Sequence, residues 1–217
     1  MKIKNFFNAL IMAFLAVTLL VSCETKGPVG IDKDNVYLLG NCTDPINDRE
    51  DGRFGMNTGF TVAVFTTLAG EDLLAHGESI VGVRALVDGE VSDAEVIIAD
   101  KLDLDSGIIA RKSFSYVEGG RQYVLFDTPV EITGDTLYVG YKITSSGYVI
   151  GLEPTSKMIK TEYMWWNDEW YQLSQMGVKG YWSVQAILQG GDYSTETQYA
   201  IAVDNLGTVY LAEGNVS

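Results

Sequence analysis

Apolar and polar residues alternate with a period of two along most of this chain. Leu137, Val139, Tyr141 and Ile143 fall on one face of such a run, with Thr136, Tyr138 and Lys142 on the other. Trp182, Val184, Ala186 and Leu188 oppose Ser183 and Gln185, and Val81, Val83, Ala85 and Val87 share a face with Arg84 turned outward. This period belongs to half-buried β-strands. The runs Phe60 to Phe65, Ala94 to Ala99, Ile108 to Tyr116 and Tyr123 to Phe126 are in places apolar on both faces, as strands in the middle of a sandwich are. Breaks fall at Asp88-Gly89, Asp105-Ser106-Gly107, Gly119-Gly120, Gly134-Asp135 and Ser146-Gly147. Gly tolerates positive φ there and Asp bonds its own backbone. The pattern predicts an all-β fold, a jelly-roll-like β-sandwich of two antiparallel sheets. Leu68 to His76 offers one helical turn or two.

Past Gln189-Gly190-Gly191 the alternation resumes with Tyr199, Ile201 and Val203, then Val209 and Leu211, around Asp204-Asn205-Leu206-Gly207. That predicts a C-terminal hairpin. A hairpin alone is marginally stable in water, so residues 191–217 are expected either to pack on the sandwich of residues 35–190 or to begin a truncated module.

The first residues follow another pattern. Lys2 and Lys4 precede an apolar run from Phe6 to Val21, interrupted only by Asn8 and Thr18. A run this short after positive charge reads as a secretory signal, not as a full membrane span of about 20 residues. Leu20-Val21-Ser22-Cys23 resembles the lipobox of bacterial lipoproteins. The resemblance implies cleavage after residue 22, lipidation of Cys23 and a tether over residues 23–34. Each buried CH₂ of an acyl chain contributes about 0.8 kcal/mol, and two chains anchor stably. The expected location is the bacterial outer membrane, at the cell surface.

Composition narrows the function classes. The chain has 217 residues, 47% of them hydrophobic, and a net charge of −14. The first 22 residues contribute two lysines and no acid, so the remainder carries −16. The chain is too apolar for disorder, and too acidic for nucleic-acid binding, which needs clustered Lys and Arg. Acylated Cys23 forms no disulfide, which leaves Cys42 as a free thiol or a small buried apolar residue. His76 is the one histidine. It precedes Gly77 in what reads as a solvated loop, with no nucleophile-elbow or catalytic-Cys pattern to partner it. Carboxylates are abundant but mark no specific pair for glycoside hydrolysis. No enzyme activity and no organic cofactor are therefore expected.

Two groups of residues stand out. Asp44, Asn47, Asp48 and Asp51 crowd one short stretch, and Asp103, Asp105 and Ser106 precede Gly107. Calcium needs only oxygen ligands, and the first group is its candidate site, with a solvated acidic loop as the alternative. All four Trp fall between Trp165 and Trp182, with Tyr163, Tyr171 and Tyr181 among them. Adjacent Trp165 and Trp166 on a strand point to opposite sides, so one is expected in the core and one exposed. Flat aromatic faces stack on sugar rings, which makes Trp165, Trp166, Tyr171 and Tyr163 the candidate ligand site, against core packing as the plainer use of the cluster.

The run from Gly59 to Leu188 resembles the adhesin-type β-sandwich of surface lipoproteins and secreted proteases, related to cleaved-adhesin domains. The matching segments are Phe60 to Phe65, Ile80 to Arg84, Leu137 to Tyr141, Gly147 to Gly151, and Trp170 with Trp182 to Ala186. The resemblance implies a jelly roll used for surface attachment, with Trp170 and Trp182 as packing residues. No protease domain accompanies it in this chain. The expectation is a lipid-anchored surface protein that recognises a glycan or protein ligand. A structural subunit of a surface assembly is the alternative, and a carboxylate-dependent hydrolase the second.

Overall fold

A computed structural model of the chain describes residues 36–41, 52–117, 120–154, 161–191, 198–203 and 209–214. Cys23, Cys42 and the acidic group Asp44, Asn47, Asp48 and Asp51 lie outside the described residues.

The alternating runs form two antiparallel sheets. One has the order β13-β12-β1-β11-β3-β6, built from β1 (Val36–Asn41), β3 (Ser79–Leu86), β6 (Arg121–Glu131), β11 (Val184–Gln189), β12 (Gln198–Val203) and β13 (Val209–Gly214). The other has the order β5-β4-β7-β2-β8-β9, from β2 (Arg53–Leu68), β4 (Ser92–Ala99), β5 (Ile108–Ser113), β7 (Leu137–Glu153), β8 (Glu162–Trp166) and β9 (Glu169–Gln172). The short β10 (Tyr181–Trp182) pairs with the end of β7 and makes this a seven-stranded sheet. The helical piece is α1 (Gly70–His76), two residues shorter than the predicted run because Leu68 closes β2.

Period two then decides what faces what. Val62, Val64, Val96, Ile98, Val139, Tyr141 and Ile143 meet Val83, Ala85, Val124, Phe126, Val184, Ala186 and Leu188 in the main core between the sheets. Trp182 is fully buried at one corner, edge-on to Phe54 at 5.6 Å, and its indole N–H donates to the Tyr163 carbonyl at 2.9 Å. That bond removes the penalty of burying an indole N–H unpaired.

The outer faces are also apolar. On the six-stranded sheet Val36, Leu38, Val81, Leu125 and Ile187 point away from the main core, and Ile201, Val203 and Val209 of the C-terminal hairpin close over them. β13 returns close to β6, so the sheet curls across its own outer face. The hairpin is part of the sandwich.

Four local expectations are corrected. Arg84 is turned outward from the main core but is only 2% exposed. The curled sheet covers it, its guanidinium donates to Gln185 Oε1 at 3.0 Å, and it lies 5.6 Å from the centre of the Tyr123 ring. Val81 does not share a face with Val83, because a register shift between Ile80 and Gly82 turns it into the second core. Ser146-Gly147 is no turn: β7 runs through it, and Gly147 lies opposite the irregular part of β2. His76 is not a solvated loop residue either; it ends α1 and stacks on Tyr37 at 4.5 Å.

Ile201→Ala opens a cavity in the second core. It is expected to cost the whole domain about 2 kcal/mol or more in denaturant unfolding. A hairpin that were a separate module would leave the main transition unmoved.

Candidate functional site

The central ladder of the seven-stranded sheet positions the candidate residues. β2 pairs with β7 on one side and β8 on the other, with Ala63 opposite both Lys142 and Trp165. Trp165 in turn lies opposite Trp170 on β9. These four residues form one row on the outer face, and the small Ala63 lets the long side chains on either side meet above it. The Lys142 ammonium sits 5.8 Å from the centre of the Trp165 ring, within cation–π range.

The neighbouring row carries Phe65, opposite Gly140 and Tyr163. Gly140 is required there: a Cβ would fall 2.9 Å from Phe65 Cδ1 and collide with the β2 backbone. Phe65 is buried, tilted against Trp170 at 5.7 Å, while Tyr163 meets Tyr138 edge-on at 5.9 Å. Tyr138, Tyr163, Trp165 and Trp170 thus form a half-buried aromatic layer over Ala63, Phe65 and Ile97.

β8 and β9 are joined by Asn167 and Asp168, with φ of 51° and 62°. A two-residue hairpin turn with both φ values positive is the type I′ geometry that matches strand twist, and Asn and Asp are among the residues that tolerate it. On the other side β2 bulges: Met56 pairs with Gly147 and Phe60 with Ser145, so Asn57, Thr58 and Gly59 face a single partner residue, Ser146. Between bulge and turn lies an open cleft of about 420 Å³. Trp165 and Trp166 line it beside Asn167 and Asp168, and its lining includes Thr61 and Thr144, whose hydroxyls are hydrogen-bonded at 2.8 Å. Bulges recur where a sheet must re-aim its side chains at a site.

The four aromatic candidates are therefore only partly brought together. Trp165 and Tyr163 face outward, whereas Trp166 packs against the main core from the opposite face of β8. Both tryptophans are half-buried, not one core and one exposed, because each face of this sheet carries its own apolar layer. Tyr171 lies opposite Met164, on that core-facing side, and its hydroxyl donates to Glu169 Oε2 at 2.6 Å. That bond holds the phenol proton and raises its pKa. Trp182 packs as the resemblance implies, but Trp170 belongs to the outer aromatic layer.

Asn167, Asp168, Thr61 and Thr144 are site residues that the strand pattern does not single out. Asn-Asp between two Trp-containing runs is a hairpin signal that could have found the first two.

The second acidic group has a local use. Asp103 accepts hydrogen bonds from the backbone N–H of Asp105 at 2.9 Å and Ser106 at 3.0 Å, and from the Ser106 hydroxyl. These hold its carboxyl down to about 2. Among the described residues no three His, Cys, Asp or Glu side chains converge as a metal site, and no helix is long and apolar enough to cross a membrane.

At the end of β8 away from the cleft, Glu162 turns into the sandwich. It is 5% exposed and accepts from Asn41 Nδ2 at 3.0 Å and the Thr66 hydroxyl at 2.9 Å, both on Oε1. Among the described residues nothing donates to Oε2. Burial pushes this carboxyl up to about 8, against the opposing effect of its hydrogen bonds from Thr66, the Trp182 backbone N–H and Asn41. A comparison with family models, with curated proteins and with solved structures finds no match to this chain.

The raised value has a definite sign. From the ordinary 4.5 up to about 8 the folded chain holds a proton that the unfolded chain has lost. Stability therefore falls as pH rises through that window, at a limiting slope of about 1.4 kcal/mol per pH unit. Glu162→Gln keeps the acceptor for Thr66 and Asn41, and is expected to melt at least as high as wild type at pH 8 with a flatter profile between pH 5 and 8. A wild-type melting profile already flat across that window would contradict the buried neutral acid.

Proposed function

We propose that this is an exported protein, anchored by lipid on Cys23 to the bacterial outer membrane and facing outward, that binds a glycan or protein ligand without transforming it. The observation that carries the binding reading is the cleft itself. Rigid indole rings meet hydrogen-bonding groups, from exposed Asn167 and Asp168 and the half-buried Thr61–Thr144 pair, at one end of the seven-stranded sheet. An apolar wall with a few convergent polar groups is the usual make-up of a ligand site. The lipobox-like Leu20 to Cys23 supports the anchor, and the order of the sandwich segments supports an adhesin-like role. The charge of −16 after the leader speaks against nucleic acid as the ligand.

Glycan and protein arrays probed with wild type, Trp166→Ala and Asp168→Ala test the binding role. The expected result is a wild-type ligand whose binding falls about tenfold or more in both variants, with the Asp168→Ala melt unchanged because that side chain is exposed. Full wild-type affinity in both variants would exclude the cleft. Fractionation tests the anchor separately: Cys23→Ala is expected to leave the detergent-soluble membrane fraction, and unchanged partitioning would overturn lipidation at that residue.

A further inference from the structure

We propose that the cleft is one end of a longer track, and that the outer face of the seven-stranded sheet holds a linear, neutral glycan of several sugar rings laid along β8. The proposal rests on the ligand-binding reading above and adds the ligand's class and path. Antiparallel strands rise about 3.4 Å per residue, so Tyr163 stands about 7 Å from Trp165 on the same outer side, and the turn residues Asn167 and Asp168 follow at the cleft end of β8. Trp170 lies directly opposite Trp165 on the next strand, about 5 Å away, which doubles the width of the platform at its centre. The span is longer than one sugar ring.

These rings are held in advance. Phe65, Ala63 and Ile97 support them from below, and the ring contacts at 5.7 and 5.9 Å fix Trp170 against Phe65 and Tyr163 against Tyr138. They nevertheless stay half-exposed. Binding there immobilises no rotamer-rich side chain, which is where association usually loses free energy. An apolar aromatic surface edged by hydroxyl, carboxamide and carboxylate groups suits a sugar ring and its equatorial hydroxyls.

Charge selects among glycans. The single cation in the central row, Lys142, lies opposite Glu95 on one side and against the Trp165 ring on the other, and Asp168 stands at the cleft end. Glu95 also lies 3.7 Å from Arg111, so the cations Lys142 and Arg111 are matched in number by the carboxylates of Glu95 and Asp168, and an acidic chain finds no excess of positive charge to hold it. A protein partner is also disfavoured, because the cores of protein interfaces are depleted of lysine and this row has Lys142 at its middle.

The test is calorimetric titration of the detergent-solubilised full chain with neutral gluco-, manno- and xylo-oligosaccharides from one ring to six, and with oligogalacturonate as the acidic control. Affinity for one neutral series is expected to rise about tenfold or more between one ring and several. Trp165→Leu and Trp170→Leu keep apolar cover over Ala63 and Phe65 but lose the flat face. Each is expected to weaken the longer chains about tenfold while the melting temperature stays close to wild type. Affinity independent of chain length, or unweakened long-chain binding in both Leu variants, overturns the track and leaves the cleft standing. Preference for oligogalacturonate overturns the neutral class. A protein ligand lost in Asp168→Ala, with no sugar bound, overturns the glycan and keeps the binding role. Absence of any glycan or protein ligand removes both.

Discussion

The antiparallel ladder between β2 and β7 is the constraint on which everything else depends. It runs from Arg53 opposite Gly151 to Leu68 opposite Leu137, and β4 and β8 take their register from it on either side. Side chains alternate, so a slip of one residue would exchange inner for outer along the entire strand. Here that exchange would drive Lys142 and Thr144 into the main core and pull Val139, Tyr141 and Ile143 out of it. The register also has a physical lock. Gly55 faces Tyr148, and Gly140 faces Phe65, at positions where a Cβ would strike the neighbouring strand. The ladder shifts register twice, between Phe54 and Gly55 and between Met56 and Phe60, and the cleft opens beside the second shift.

Burying both faces of both sheets has a further effect: polar side chains end up where water does not reach, and each must find a partner. Arg84 reaches Gln185, Gln122 bonds the backbone of Val117 and Val87, and Ser183 donates to Glu153. Glu162 is the outlier, an acid kept largely neutral by its surroundings. Its bonds to Asn41 and Thr66 tie the end of β1 to β2, across the two sheets. Unlike the apolar contacts around it, that link depends on a proton.

Much of the fold is legible along the chain, because alternation encodes burial directly. The runs at 60–65, 94–99, 137–143 and 182–188 become strands, and their apolar faces become core. What alternation does not carry is what lies above a face. Arg84 reads as solvent-facing because nothing local announces that Gln185 and Tyr123 of neighbouring strands will meet it in a buried layer. Val81 reads as in phase with Val83 because a one-residue shift leaves no mark in composition. Ser146-Gly147 reads as a turn because Gly serves a close strand approach as readily as a reversal. The aromatic concentration correctly marks β8 and β9 as unusual. It does not divide Trp165 from Trp166 by environment, and it passes over Thr61, Thr144 and Asp168, which reach the cleft from three separate parts of the chain.

The bulge and the turn that frame the cleft share a property the core lacks. Asn57, Thr58, Gly59, Asn167 and Asp168 are all exposed and sit at the ends of paired segments, outside the packed layers. Substitutions at the bulge residues can therefore reshape the rim while leaving the sandwich beneath it intact, and the turn can vary among residues that accept positive φ. Stability and surface shape are encoded in different letters of the same strands. A lineage carrying this scaffold can change its rim one residue at a time without risking its fold.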